Sequence, residues 1–315
     1  MTFSERVKNE ILKTPLKEPC CRLAALSAFI RGAGTIAVRS GILGFEVVTE
    51  NRAACEYFSD IIRELYGETA EITETGDKLK NRKKYMLSLI SEKSFGILKE
   101  LGIVFLSDGA PAINLGIDKY LIENECCKKA YIIGAFIGSG SVTVPKKDGR
   151  SQTGYHLEFV FSKYQTAEDF TDLLCETGFM PRLIERKESF VIYFKTSDEI
   201  CDLLAFMNAR NCYFSLNELI IEKDLRNDTN RRINCEMANI EKQVEASIGR
   251  INAISVIEET IGLDELSAPL RAVAIARMNN PDASMSELAS IAGITKSCLN
   301  HRLRKLSEIA ENLSK

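Results

Sequence analysis

Histidine is nearly missing from this chain: His156 and His301 are the only two in 315 residues. Cysteine is not scarce, with ten residues, but none of them forms a C-x-x-C. Adjacent cysteines occur instead, at Cys20-Cys21 and Cys126-Cys127. Zinc sites draw on histidine and on closely spaced cysteine pairs of that kind, so these shortages argue against a metal, and no cofactor is expected. The cysteines read as reduced thiols used as small hydrophobes, which fits a reducing cytoplasm. No apolar run reaches the length of a membrane span, and the opening MTFSERVKNEILK lacks the apolar stretch of a secretory signal. An excess of positive charge is missing too. Lys and Arg number 41 against 44 Asp and Glu, a formal net charge of -3, so any surface for nucleic acid must come from local clusters. The chain is 45% hydrophobic and 27% charged, enough apolar material for real cores in two or three domains.

What is present is a repeat. LSAFIRGAG at 26–34 returns as IIGAFIGSG at 132–140. Small residues recur every fourth position through each copy, Ala24, Ala28 and Gly32 in the first and Ala130, Gly134 and Gly138 in the second. On a helix that spacing makes a stripe along which two backbones can approach closely. Gly34 and Gly140 are expected to stop the two helices. Downstream, GFEVVTENRAACEYFSDIIRELYG (44–67) aligns with HLEFVFSKYQTAEDFTDLLCETGF (156–179), so Glu46 meets Glu158 and Phe58 meets Phe170. The offset between copies grows from 106 to 112, and the extra residues fall in the loop 144–154, where a surface turn tolerates insertion. Each copy predicts helix, strand, turn, strand, helix, strand, turn, strand, helix. The fold class expected is α+β, a duplicated αββαββα domain over 1–214 with repeats at about 20–105 and 126–210.

This arrangement resembles the LAGLIDADG homing-endonuclease fold, in which two such halves pack through their motif helices and lay saddle-shaped sheets on DNA. The resemblance implies an acid at the eighth motif position of each helix, where the pair would bind divalent cations. Those cations polarise phosphate and activate water, and as hard ions they require anionic oxygen ligands. Here the two positions hold Ala33 and Ser139, and the sixth positions hold Arg31 and Ile137. No catalytic or metal residue is therefore assigned, and the chain reads as a nuclease scaffold kept for binding. Glu46 and Glu158, both on inner strands, are the carboxylates considered as replacements for the lost pair. Basic hairpins offer phosphate contacts instead. The candidates are Lys80, Arg82, Lys83 and Lys84 in the first copy, Lys146, Lys147 and Arg150 in the inserted loop, and Arg186 in the last hairpin.

A helical connector at 215–262 leads to a different pattern at 263–315. Ser267 and Pro269 mark the start of a supporting helix and Asn279-Asn280-Pro281 its end. Ser284 with Glu287 makes a capping box, Gly293 supplies a tight turn, and Thr295 caps the next helix. Leu299, Leu303 and Leu306 face inward. The helix-turn-helix reading gives Lys296, Ser297, Asn300, His301, Arg302, Arg304 and Lys305 to the outer or flanking surfaces. Of these, Ser297, Asn300 and His301 are expected at base edges, and Arg302, Arg304 and Lys305 mainly at phosphates.

Along nearly its full length the chain closely resembles the WhiA family of bacterial transcription regulators. FSERVKNEIL, LSAFIRGAG, YIIGAFIGSGSV, GYHLEFVFS, NDTNRRINCEMANIEKQVEAS and KSCLNHRLRKL carry the likeness in that order. The resemblance implies a cytoplasmic, nucleoid-associated regulator of sporulation, or of cell division and chromosome segregation. It implies double-stranded DNA as partner, no membrane and a catalytically dead scaffold. A monomer is expected, and a second regulator or RNA polymerase is a possible partner. Two other readings stand beside it: a protein-interaction scaffold that recruits a regulatory partner, and an active endonuclease with displaced ligands.

Overall fold

A computed structural model describes residues 1–77, 82–145 and 154–314. They divide into two compact units, Met1–Glu222 and Lys223–Lys315.

The first unit begins with α1 (Phe3–Ile11), set by a capping box between Thr2 and Glu5. The first repeat follows as α2 (Pro19–Ala33), β1 (Gly34–Arg39), β2 (Ile42–Thr49), α3 (Arg52–Tyr66), β3 (Glu71–Asp77), β4 (Arg82–Leu89) and α4 (Ser94–Glu100). A short hairpin, β5 (Val104–Ser107) and β6 (Ala110–Ile113), leads to the second repeat. That repeat comprises α5 (Glu125–Ser139), β7 (Gly140–Thr143), β8 (His156–Phe161), α6 (Tyr164–Glu176), β9 (Arg182–Arg186), β10 (Ser189–Phe194) and α7 (Ser197–Phe206). The two sheets share one topology, β1-β2-β4-β3 and β7-β8-β10-β9. Their registers match pair for pair: Gly34 faces Val47 as Gly140 faces Phe159, and Thr35 faces Glu46 as Ser141 faces Glu158. The duplication and its six added residues between β7 and β8 thus hold at the level of single backbone pairs.

α2 and α5 are apolar nearly all round and form the centre of the core, with Ala24, Ala25, Leu26, Ala28, Phe29 and Ala130 through Ile137 buried. The glycines set their distance. A Cβ added at Gly134 would lie 2.1 Å from the Ala25 carbonyl oxygen, and one at Gly138 would lie 2.9 Å from that of Phe29. The close face of α2 therefore runs through Ala25 and Phe29, one residue beyond the expected Ala24–Ala28 stripe. Gly34 and Gly140 end the helices, but not as left-handed caps. Their φ values are -96° and -78°, so each chain passes straight from helix into strand. Glycine is needed there for space, because a Cβ at Gly34 would meet the Ile30 carbonyl oxygen at 2.5 Å.

α1 was not marked by the sequence, and it is fixed from far along the chain. Ser4 bonds the backbone of Val142 through both its roles. Lys8 donates to the Ile137 carbonyl at 2.9 Å, near the C-terminus of α5, where a helix favours cations. Burial pulls the Lys8 ammonium down to about 8. Glu10 accepts the backbone N–H groups of Asn211 and Cys212, at the start of α8 (Arg210–Thr260). Burial opposes its charge, but those hydrogen bonds prevail and hold the carboxyl below its ordinary range.

The segment read as a connector is this one long helix, and its two ends serve different cores. Cys212 and Leu216 are buried in the first unit's core, and Ile254 and Ile257 in the second's. After α8 come α9 (Ala268–Asn279), α10 (Met285–Ile291) and α11 (Lys296–Leu313). They close over Val273, Ala274, Leu288, Leu299, Leu303 and Leu306. The α+β duplicated domain followed by an all-helical unit is the fold the repeat predicts. Among the described residues, no helix is long and apolar enough to cross a membrane.

Candidate nucleic-acid interface

The turn between α10 and α11 is built by local chemistry. Ser284 and Glu287 complete the capping box of α10. At its other end the Ile294 N–H reaches the Ala289 carbonyl and the Gly293 N–H reaches that of Ser290, the bond pair of a Schellman turn. Gly293 adopts φ +66°, which a side chain would resist. Thr295 then caps α11 by accepting the Cys298 N–H at 3.2 Å.

Because Leu299, Leu303, Leu306 and Ala310 are buried, α11 has one fixed outer face. Lys296, Ser297, Asn300, His301, Arg304 and Lys305 are all exposed on it. Arg302 lies at the flank of this face. It is half-buried and its guanidinium turns back toward the Pro269 carbonyl, at 3.4 Å, which removes it from the outward set. Arg304 is exposed and pairs along the helix with Glu308 at 3.2 Å, a surface ion pair that a phosphate can displace at little cost.

Sequence reasoning missed what α8 adds here. Arg250 donates to the Asn300 Oδ1 at 3.2 Å and to the Met285 sulfur at 3.1 Å, so it ties α8 to both α10 and α11. Arg277 is 3% exposed and donates to the Ala283 carbonyl and to Ser247. Burial first, and Arg250 second, lower its pKa below the ordinary arginine value. Lys242, Arg250, Arg277 and Lys296 line one groove of about 910 Å³, with Asp282 the acid among them. The signal was available in principle, since Arg250 and Ser247 lie one helical turn apart on α8.

The scaffold candidates divide. Lys80, Lys146, Lys147 and Arg150 lie outside the described residues, and Arg82 opens β4. Lys83 is exposed but already paired with Glu74 at 3.1 Å, which raises its pKa. Lys84 is exposed opposite Thr75. On the outward face of the first sheet Arg39 is held by Glu46. In the second sheet Glu185 stands beside the basic residues of β9. Arg182 and Arg186 are exposed on β9, Arg182 lies opposite Tyr193, and Lys195 stands 5.1 Å over the Tyr193 ring.

The paired motif helices end in Ala33 and Ser139, neither of which carries a carboxylate. The Ser139 hydroxyl donates to Ala135 in its own helix, and Ser139 packs against Gly32, where an added Cβ would meet it at 3.1 Å. Glu46 and Glu158 do not stand in for the missing acids. Arg39 neutralises the first, and Ser141 and His156 engage the second at 3.2 and 3.0 Å. Supercoiled plasmid incubated with excess protein and magnesium or manganese is expected to stay supercoiled. Nicking that vanished in a Glu46→Gln, Glu158→Gln double variant would overturn this.

Fold and site define a class: a duplicated nuclease-type scaffold without its metal-binding acids, joined to a helix-turn-helix. Three family models cover the chain. They are the WhiA N-terminal LAGLIDADG-like domain at residues 19–104, the WhiA LAGLIDADG-like domain at 128–226 and the WhiA C-terminal HTH domain at 229–310. The chain is 38% identical over 316 residues to the "Probable cell division protein WhiA" of Alkaliphilus metalliredigens, covering 99% of this chain and 98% of that one. With the protein of the same name from Alkaliphilus oremlandii it is 36% identical over 319 residues, covering 99% and 98%. The crystal structure of full-length DUF199/WhiA from Thermatoga maritima shares the fold, with a TM-score of 0.58 at 24% identity over 99% of both chains. The chain belongs to the WhiA family. It is a regulator rather than a nuclease, with a degenerate LAGLIDADG-like scaffold and a helix-turn-helix.

Proposed function

We propose that this chain binds double-stranded DNA sequence-specifically through α11 and regulates transcription in cell division and chromosome segregation, or in sporulation, on the nucleoid in the cytoplasm. One observation carries the reading. The buried leucines of α11 leave Lys296, Ser297, Asn300, His301, Arg304 and Lys305 together on a single outward face. The second sheet adds phosphate contacts through Arg182, Arg186 and Lys195, which strengthen binding without reading sequence. Chromatin mapping with the intact chain and with residues 223–315 deleted tests the assignment. Site-specific peaks are expected to disappear on deletion, and peaks that survive it would move specificity into the scaffold.

A second reading rests on the first sheet. Its strands carry four basic and four acidic residues, and among them Arg39 and Lys83 are paired with Glu46 and Glu74. A face so balanced suits a protein partner, such as a second regulator or RNA polymerase, better than a run of phosphates. It is compatible with DNA reading by the other unit of a monomeric chain.

A further inference from the structure

The functional reading leaves the adjacent cysteine pairs unused. Cys20 and Cys21 are the second and third residues of α2, and Cys126 and Cys127 are the second and third residues of α5. Each pair stands 106 residues from its counterpart, the offset of the motif helices themselves. The duplication therefore places the pairs at equivalent points, and the close packing of α2 against α5 brings those first turns together. All four sulfurs lie within 4.8 Å of one another, and those of Cys126 and Cys127 are 3.9 Å apart. None is in a disulfide. The fold thus assembles across two helices what the missing C-x-x-C pattern argued against. Among the described residues this is the one group of three or more potential ligands.

We propose that Cys20, Cys21, Cys126 and Cys127 bind a single zinc ion as a four-thiolate structural site. Zinc–thiolate bonds of ~2.3 Å place tetrahedral sulfurs ~3.8 Å apart, so the existing cluster closes on the ion by shifts of about an ångström or less. Four thiolates complete the shell and leave no position for substrate, which makes the site structural rather than catalytic. Soft sulfur donors favour zinc over magnesium or calcium. An iron–sulfur cluster, with its bridging sulfides, needs its cysteines spread wider than this. Binding releases the four thiol protons and leaves a net charge of -2 on the complex. All four cysteines lie in the first turns of α2 and α5, where the positive ends of the helix dipoles offset that charge. Cys21 and Cys127 are buried and Cys20 and Cys126 exposed, so the ion links the two helix N-termini at the edge of the core.

The test uses the intact chain, reduced, stripped of metal and titrated with cobalt(II) under anaerobic conditions. About one equivalent per chain is expected, with sulfur-to-cobalt charge transfer and the intense visible bands of tetrahedral cobalt thiolate, and zinc should bleach them. The Cys20→Ser, Cys126→Ser double variant changes only the exposed pair. It should keep its far-UV circular dichroism and lose the colour. A Cys175→Ser, Cys235→Ser control should keep the colour. The proposal fails if the intact chain gives no such bands, or if the bands persist in the Cys20→Ser, Cys126→Ser variant. It fails equally if the sulfurs are found joined as disulfides and bind no cobalt after reduction.

Discussion

Gly134→Ala is expected to lower the stability of the first unit by about 3 kcal/mol, at the upper end of what overpacking costs. The new methyl carbon would sit 2.1 Å from the Ala25 carbonyl oxygen and 2.8 Å from its Cα and carbonyl carbon. These are backbone atoms of a facing helix and cannot rotate away. Relief requires α2 and α5 to move apart, which loosens the contacts of Ala25, Phe29, Ile133 and Ile137 along the whole seam. The position makes graded controls available. Gly138→Ala meets the Phe29 carbonyl oxygen at 2.9 Å and should cost less. Gly96, inside α4, has nothing within 4 Å, so Gly96→Ala should gain about 0.5–1 kcal/mol from helix propensity. Calorimetry of the intact chains should show the transition of this unit about 6–12 °C lower for Gly134→Ala. If Gly134→Ala melted like Gly96→Ala, the helices would not meet backbone to backbone.

The seam was readable because small residues at every fourth position on otherwise apolar helices have few other uses, although the close face of α2 runs through Ala25 and Phe29 rather than Ala24 and Ala28. The strand registers were readable because the same pattern occurs twice, and each copy checks the other. The helix-turn-helix announced itself through local signals, the Ser284–Glu287 box, Gly293 and the Thr295 cap. What escaped is held from a distance. α1 buries only Val7 and Ile11, and the partners that hold it are Val142, Ile137 and the first turn of α8. Arg302 was assigned by charge, yet its direction depends on the Pro269 carbonyl 33 residues away. The β5–β6 hairpin did carry a signal: Asp108 and Gly109 both take positive φ, as a type I′ turn requires. The cysteine cluster was hidden for a different reason, because a ligand set split between two repeats has no local spacing to recognise.

Asn300→Ala and Arg304→Ala are expected to weaken DNA binding in different patterns. Asn300 lies in the second turn of α11 after the Thr295 cap, exposed and held by Arg250 through its Oδ1. That bond leaves the Nδ2 donors of the amide available to a base edge. Its loss should cost about 1–3 kcal/mol on a cognate site and little on scrambled DNA. Arg304 lies one turn further on and carries charge rather than a fixed reading geometry. Its loss should weaken both duplexes about equally and reduce the salt slope by roughly one unit. Arg250→Ala separates positioning from reading. If Arg250 acts by orienting Asn300, the Arg250→Ala, Asn300→Ala double variant should lose little more specificity than Asn300→Ala alone. Leu299, Leu303 and Leu306 remain in every variant, so helicity and melting should stay those of the parent chain. Binding of each variant to cognate and scrambled duplexes over a salt series makes the measurement. Identical loss patterns for Asn300→Ala and Arg304→Ala would show that α11 enters the groove in another orientation. No loss in either would place the DNA reader elsewhere and bring the protein-interaction reading forward.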